Sequence, residues 1–389
     1  MPSVNTGLVA TDDPLSNELL PDIRDKITML DPDTTQFTTL LMKLSEERAK
    51  SFKVEWLNDE LLPQVASLSA SAASDASNFA VTSGDGSYFK DGDILRIAGT
   101  GEPVRVNGTP TAASISVIRA IDGSTAASAA STEKLIKVGG SNPQGGTLPL
   151  AVITQRAHNY NYTQIFRDSY RFTNTARATT TWVGGALEAK EKRKKAIEHK
   201  WGIENMLFFG ARSYTASSGA VSQPRHTSGG LKQYVTASSD TDTLDETELQ
   251  TFFRNALEFA GPRVVLFAAP LVMQVISSFL EEDINARPGD NIHGVKVDYV
   301  LSGVTGQKVP VIVKREWKRY GEAAAQYGSQ AVLVDLDCVQ FAPLRDTAHL
   351  TNRQANDADE VAGEFLTEAS LKVERPERMR WLVDVTGAA

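Results

Sequence analysis

Cysteine is almost absent from this chain: Cys338 is the only one in 389 residues, which excludes an intrachain disulfide framework and any zinc site built from clustered thiolates. Histidine is nearly as scarce. The five, at His158, His199, His226, His293 and His349, lie too far apart to share a metal in a local motif, and each reads as a surface or hydrogen-bonded side chain. Long apolar runs are missing too. VVLFAAPLVMQVISSFL, from Val264 to Leu280, is broken by Pro270, Gln274 and two serines, and is too interrupted for a spanning helix, so no membrane partner is expected. The opening MPSVNTGLVATDDPL has no basic and apolar leader pattern, so synthesis without export is the expectation. No Walker A, G-x-G-x-x-G, H-E-x-x-H, G-x-S-x-G or EF-hand pattern occurs. Glu281, Glu282 and Asp283 read as a solvated helix end, Cys338 as an inert thiol in a strand, and the Asn107 and Asn161 sequons as chance matches. No catalytic, cofactor-binding or metal-ligating residue is nominated.

What is present is an ordinary soluble composition, 41% hydrophobic and 23% charged, with its charge unevenly placed. Residues 1–60 hold 6 basic and 12 acidic groups, net −6, and residues 151–212 hold 11 basic and 5 acidic groups, net +6. Complementary fields on different segments of one chain favour contacts between domains or between copies.

Residues 1–60 read as an arm punctuated by prolines, with a helix around Thr38 to Lys50. Residues 64–146 turn to Ala, Ser, Gly and Thr, with short strands in DILRIAG, EPVRV and ISVIRAI and glycines between them. With few large apolar residues, that region is expected to lean on something else for its core. Farther on, TLDETELQTFFRNALEF predicts a helix with Asp or Thr near its start. PRVVLFA predicts a buried strand, and Pro270 opens a second helix. Further strands are expected in GVKVDYVL, VPVIVKREW and AVLVDLDCVQFA. At the C-terminus, GEFLTEASLKVER alternates, RPER turns, and MRWLVDV returns, which predicts a closing hairpin.

The densest charge is EAKEKRKKAIEHKW, Glu188 to Trp201, with six basic residues and three glutamates. From Trp182 onward Val183, Ala186, Arg193, Ala196, Ile197, Ile203 and Leu207 recur at helical spacing. The helix could reach about 28 residues and ~42 Å, ended by Gly210. Glu188 with Lys192, and Glu191 with Lys195, stand in the favourable i,i+4 order. A second basic patch, KREWKRY from Lys314 to Tyr320, interleaves Trp317 and Tyr320 with cations, as single-strand-binding surfaces do. In an acidic chain without a nucleic-acid module, solvated faces or protein contacts are the favoured reading.

The order of parts resembles the major capsid proteins of tailed bacteriophages, with the Hong-Kong-ninety-seven-type fold. The residues that carry the resemblance are AVITQRAHNYNYTQIFRDSYRFTNTARA, then AKEKRKKAIEHKWGIENMLFFGAR, then NRQANDADEVAGEFLTEASLKVERPERMRWLVDVTG. It implies an α+β fold with an N-terminal arm (1–55) and an extended loop with a small β insertion (56–157). It further implies a peripheral domain (158–210 and 351–389, spine helix about 180–210, C-terminal hairpin) and an axial domain (211–350). The implied function is a structural, non-enzymatic subunit that assembles with itself into hexamers and pentamers of an icosahedral shell around double-stranded DNA, held without sequence preference. Partners implied are a separate scaffolding protein, a portal and a decoration protein, and the place is the virion, assembled in the host cytoplasm. An encapsulin-like nanocompartment shell and a nucleic-acid-binding protein are the alternatives. Assembly-interface candidates are Lys190, Lys192, Arg193, Lys194, Lys195 and Lys200 on the basic helix, with Trp56 and Trp182. The basic face would meet the acidic arm, and reversing Lys192 and Lys195 would impair shell yield in a folded subunit.

Overall fold

The computed structural model of the chain describes residues 35–44, 47–179, 187–217, 223–240, 243–283, 291–292, 295–296, 298–301 and 308–388. These fall into two compact units, Met1–Trp56 with Asn159–Ala389, and Leu57–His158.

In the first unit the arm supplies helix α1, Gln36–Leu44, which buries Phe37, Thr38, Leu40 and Leu41. The helix is shorter than the one expected over Thr38 to Lys50, and after it residues 47–49 run as backbone along a strand edge, Glu47 N donating to Phe341 O and Ala49 N to Pro343 O. Strand β1, Lys53–Asn58, then carries the chain out toward the second unit.

That unit is a closed barrel. Its strands are β2 (Val65–Ser67), β3 (Asn78–Ala80), β4 (Asp93–Ile97), β5 (Pro103–Val106), β6 (Ser114–Ile118) and β7 (Lys134–Gly140), hydrogen-bonded in the order β2-β7-β4-β5-β6-β3. The ends meet where Leu68 bridges Val81, with Ser69 N to Ala80 O at 3.0 Å and Thr82 N to Ser67 O at 2.9 Å. Alternate residues point inward, so Phe79, Leu95, Ile97, Val104, Ile115 and Leu135 meet in a core of the unit's own, capped by Phe89. The expectation that this region must lean on other parts for its core is therefore corrected. A closed sheet of short strands needs only one apolar residue in two, and two phenylalanines supply the bulk.

Loop 119–129 is fixed to the barrel by charge. Glu102, almost fully buried, receives Arg119 through both oxygens (2.8 and 2.7 Å) and the amides of Ala120 and Ala127 (3.1 Å each). Arg119 also donates to Ala73 O and Ala127 O and lies over the Phe79 ring.

The chain returns through β8, Ala157–Tyr162, which pairs with β1, and continues into β9, Gln164–Thr173. Helix α2, Leu187–Phe209, is 23 residues long, hence about 34 Å; Trp182, Val183 and Ala186 of the expected longer helix lie outside the described residues. Gly210 ends it as expected. A Cβ there would sit 2.5 Å from Ser228 O and 2.6 Å from Met206 O, so only glycine admits the Ser228–Gly230 segment that crosses the helix end.

Next come β10 (Ser238–Asp240), α3 (Glu246–Ala256), β11 (Val264–Ala268), α4 (Pro270–Asp283), β12 (Asp298–Leu301), β13 (Lys308–Val313), β14 (Ala331–Asp335), β15 (Val339–Thr351), β16 (Glu360–Val373) and β17 (Arg380–Val383). Helix α3 starts with a full capping box, Asp245 accepting from Glu248 N and Glu248 from Asp245 N, and Pro270 opens α4. Every residue of β11 and β14 is buried. The mixed six-stranded sheet runs β10-β17-β14-β11-β13-β12, and a three-stranded antiparallel sheet runs β15-β16-β9.

The closing hairpin is not formed. Strand β16 is the centre of the long sheet, paired on one side with β15 and on the other with β9, whereas β17 joins β14 and β10 in the six-stranded sheet. Arg375, at φ 48°, and the short 3-10 turn Pro376–Arg378 carry the chain between the sheets instead of folding it back. Residues 339–351 thus share a sheet with 360–373, and residues 380–383 complete the sheet of the 238–335 region.

Replacing Glu102 by Ala would strand Arg119 and two amides, and should cost the barrel about 3–5 kcal/mol. Denaturant titration with hydrogen exchange should show this, with the Ala120 and Ala127 amides losing protection. The Arg119 guanidinium holds the Glu102 carboxyl below its usual range against the effect of burial. This stabilisation is present above the ordinary value of 4.5 and is lost as pH falls through the depressed one.

Candidate assembly interface

Helix α2 carries two different halves. Its first half is charged and at most half-buried, and its second packs into the main core through Ile203, Met206, Leu207 and Phe208. In the first half Lys192 pairs with Glu188 at 2.7 Å, and Arg177 shares the same carboxylate at 3.0 Å. Lys192 is also 5.5 Å from the Tyr170 ring centre. Lys195 pairs with Glu198, an i,i+3 partner, rather than with Glu191. Hydrogen bonds to Glu188 and Glu198 raise Lys192 and Lys195 respectively above the usual lysine value. These two lysines therefore serve the helix itself. Lys190 is half-buried, and Arg193, Lys194 and Lys200 are exposed.

Of the two candidate tryptophans, Trp56 is buried beside Tyr234, with ring centres 5.8 Å apart, and Trp182 lies outside the described residues.

The second basic patch is split by the fold. Residues Arg315–Tyr320 form a 3-10 helix in which Trp317 is fully buried, 5.1 Å from the Phe208 ring in an edge-on contact, while Arg315, Lys318 and Arg319 stay exposed. Arg319 sits 5.7 Å from the Trp201 ring, and Tyr320 donates to Asn205 Oδ1 at 2.9 Å. The exposed cations of this turn therefore adjoin those of α2, and Lys194, Trp201 and Asn205 share a stripe of the helix by their spacing. Two patches more than a hundred residues apart make one cationic face.

Lys314, by contrast, is completely buried. Its ammonium meets Glu204 Oε1 at 2.7 Å, Glu316 Oε1 at 2.7 Å and Gln36 Oε1 at 3.2 Å. Glu204 in turn caps the start of α1, accepting from Phe37 N at 2.9 Å, from Thr38 N at 2.7 Å and from the Thr38 hydroxyl. A carboxylate at a helix N-terminus satisfies donors that the helix cannot satisfy itself and complements its dipole. Burial pushes the lysine down, but the attraction of Glu204 and Glu316 outweighs it, so the ammonium is held above its usual range.

Sequence reading placed Lys314 on a surface and missed Glu204. The available signal was an acid standing between Ile203 and Met206, Leu207 and Phe208, where a carboxylate must be paired to be buried.

His199, also buried, is held between Asp168 (2.6 Å to Nδ1) and the Thr367 hydroxyl (2.7 Å to Nε2). No metal cluster occurs among the described residues, and no helix among them is long and apolar enough to cross a membrane. Burial pushes the Cys338 thiol to about 11, with Asp335 adding to the effect.

The SU10 major capsid protein family matches residues 4–386. A segment of 171 residues is 32% identical to the major capsid protein of Pseudomonas phage PaMx41, covering 43% of this chain and 39% of that one. The chain thus aligns with well under half the length of that curated relative. Solved structures to which the chain is similar include the capsid of a native GTA particle (9% identity, 96% of this chain, 97% of that chain, TM-score 0.49) and the capsid of Myoviridae phage XM1 (9% identity, 98% and 100%, TM-score 0.48).

Two outcomes follow from the buried cluster and the thiol. Glu204→Ala should cost about 3–5 kcal/mol, since Lys314 loses a partner and two amides lose their acceptor, and the amides of Phe37 and Thr38 should exchange fast while the barrel keeps its protection. The Lys314 contribution is complete below 10.5, its ordinary value, and is lost only as pH rises through the raised one. Cys338 should resist alkylation at neutral pH and react fully once the chain is unfolded.

Proposed function

The chain belongs to the SU10 major capsid protein family, and from that premise we propose that it is the self-assembling subunit of an icosahedral shell enclosing double-stranded DNA. The match over residues 4–386 carries this reading. Hexamers and pentamers of the chain itself are its main partners, with a separate scaffolding protein, a portal and a decoration protein as further ones. The shell forms in the host cytoplasm, and the subunit does no chemistry.

The cationic face of α2 and the 315–320 turn supports a role for charge on the subunit. Arg193, Lys194, Lys200 and Lys318 are exposed, and Arg319 beside Trp201 extends the same face. Such a face suits the phosphates of packaged DNA, which cations neutralise without reading sequence. Lys192 and Lys195 are poor probes of it. Reversing either sets like charges at i,i+4 or i,i+3 and weakens the helix before it tests any contact. Arg193, Lys194 and Lys200 enter no ion pair among the described residues, and neutral replacements there set no like charges against each other.

Electron microscopy of the purified full-length chain, produced with and without a scaffolding protein, tests the reading. Closed shells, hexamers or pentamers are expected, and a monomer under every condition would sink it. The variant Arg193→Gln, Lys194→Gln, Lys200→Gln should still form shells but bind DNA with a salt slope shallower by about 0.9 for each phosphate it no longer neutralises. Loss of shells by that variant, in a folded subunit, would make the face an assembly contact instead.

A further inference from the structure

The face made by α2 and the 315–320 turn holds more than charge. Tyr320 and Tyr327 are 36% and 37% exposed, and the fold fixes both rings. The Tyr320 hydroxyl is tied back to Asn205 Oδ1 at 2.9 Å, so what solvent meets is ring. The Tyr327 ring stacks on Phe209, with centres 3.9 Å apart and planes at 20°, which covers one of its two faces. Tyr320 stands perpendicular to Tyr327, with 6.3 Å between centres, and edge-on to Phe209 at the same distance. Phe209 is itself anchored 5.3 Å from the buried Trp317. Trp201, half-buried one helical turn before Asn205, brings a third ring to this face beside Arg319.

The charge that the turn shows to solvent is of one sign. Arg315, Lys318 and Arg319 are exposed, and Arg315 and Lys318 enter no ion pair among the described residues. Glu316, the one acid between Lys314 and Tyr320, is buried on Lys314. Neutralising the phosphates of a duplex uses these cations and leaves the rings without a partner, because paired bases are stacked on one another. An acidic peptide likewise matches the charge and not the rings. A single strand offers both phosphates and unstacked bases, whose flat faces fit an aromatic side chain. Rings already held by a hydrogen bond and by stacking lose little freedom on binding.

We propose that this face binds single-stranded nucleic acid, with Arg315, Lys318 and Arg319 on the phosphates and Tyr320 and Tyr327 stacking against unpaired bases. Every base has such a face, so the binding has no sequence preference. The assignment rests on the phosphate reading of the same face and adds a ligand class to it: at equal charge, a strand with bases is held more tightly than one without them.

The test uses the full-length chain before assembly, so that no closed shell excludes a probe, and shell formation by the same preparations is scored by electron microscopy. Three labelled probes are read by fluorescence anisotropy: an oligothymidylate of about sixteen nucleotides, an abasic strand of the same length, and a duplex. Wild-type protein should bind the oligothymidylate about tenfold more tightly than the abasic strand. Tyr327→Leu, which keeps apolar bulk against Phe209, should remove most of that difference without changing affinity for the abasic strand or the duplex, and Tyr327→Phe should preserve it. Arg315→Gln with Lys318→Gln should weaken all three probes and flatten their salt dependence. Equal affinity of the wild type for oligothymidylate and abasic strand would overturn base stacking and leave the phosphate reading intact. No binding of any probe by chain that still forms shells would overturn both and leave the shell reading in place. Displacement of oligothymidylate by polyglutamate as readily as by unlabelled oligothymidylate would overturn the proposal in favour of an acidic protein. Loss of shells by Tyr327→Leu in a folded subunit would overturn it in favour of a contact between copies.

Discussion

The interaction on which most of the larger unit depends is the buried ammonium of Lys314 between Glu204 and Glu316. Desolvating three charges is costly, and the arrangement is favourable only because Glu204 spends its remaining lone pairs on the amides of Phe37 and Thr38. One carboxylate thereby ties three separate stretches together: the arm helix, the basic helix and the turn after β13. Phe37 of α1 packs against Phe208 and Phe267, with ring centres 4.7 and 5.0 Å away, and a carboxylate that must meet two particular amides fixes the same register, so packing and the cluster together specify where the arm sits.

The barrel follows a different logic. Its stability is local, from a closed sheet with no free edge, and its buried ion pair, Arg119 with Glu102, holds a loop in place. Closure satisfies the backbone of strands too short to survive as a flat sheet, and this is how a sequence rich in Ala, Ser and Gly forms a core with so few large residues.

How much was legible in the sequence varied with the range of the interaction. The Asp or Thr at the start of α3, the proline opening α4 and the glycine ending α2 are local devices and were readable as they stand. The family resemblance likewise rested on the order of parts along the chain. What failed was nonlocal. The partner of Lys314 lies 110 residues away, so a cation-rich heptapeptide looked like one surface when its first and fourth members face the core. The turn RPER signals a reversal but does not say onto which strand the chain will land; β16 already had neighbours on both edges, and β17 had to go elsewhere. In the barrel, closure is invisible to strand-by-strand reading because the bridge that creates it, Leu68 with Val81, joins the residues that directly follow the two strands at opposite ends of the sheet order.

The pairing of β1 with β8 has a consequence for modularity. The chain leaves for the barrel and comes back along adjacent, hydrogen-bonded strands, so the host fold meets the whole excursion of Leu57–His158 as though it were the tip of a hairpin. Segments tethered at neighbouring points can be lengthened, shortened or exchanged without altering the order of the remaining strands. The barrel is therefore attached as a surface loop is, at two adjacent points of one strand pair, and a change in its length leaves the pairing of β1 with β8 as it is.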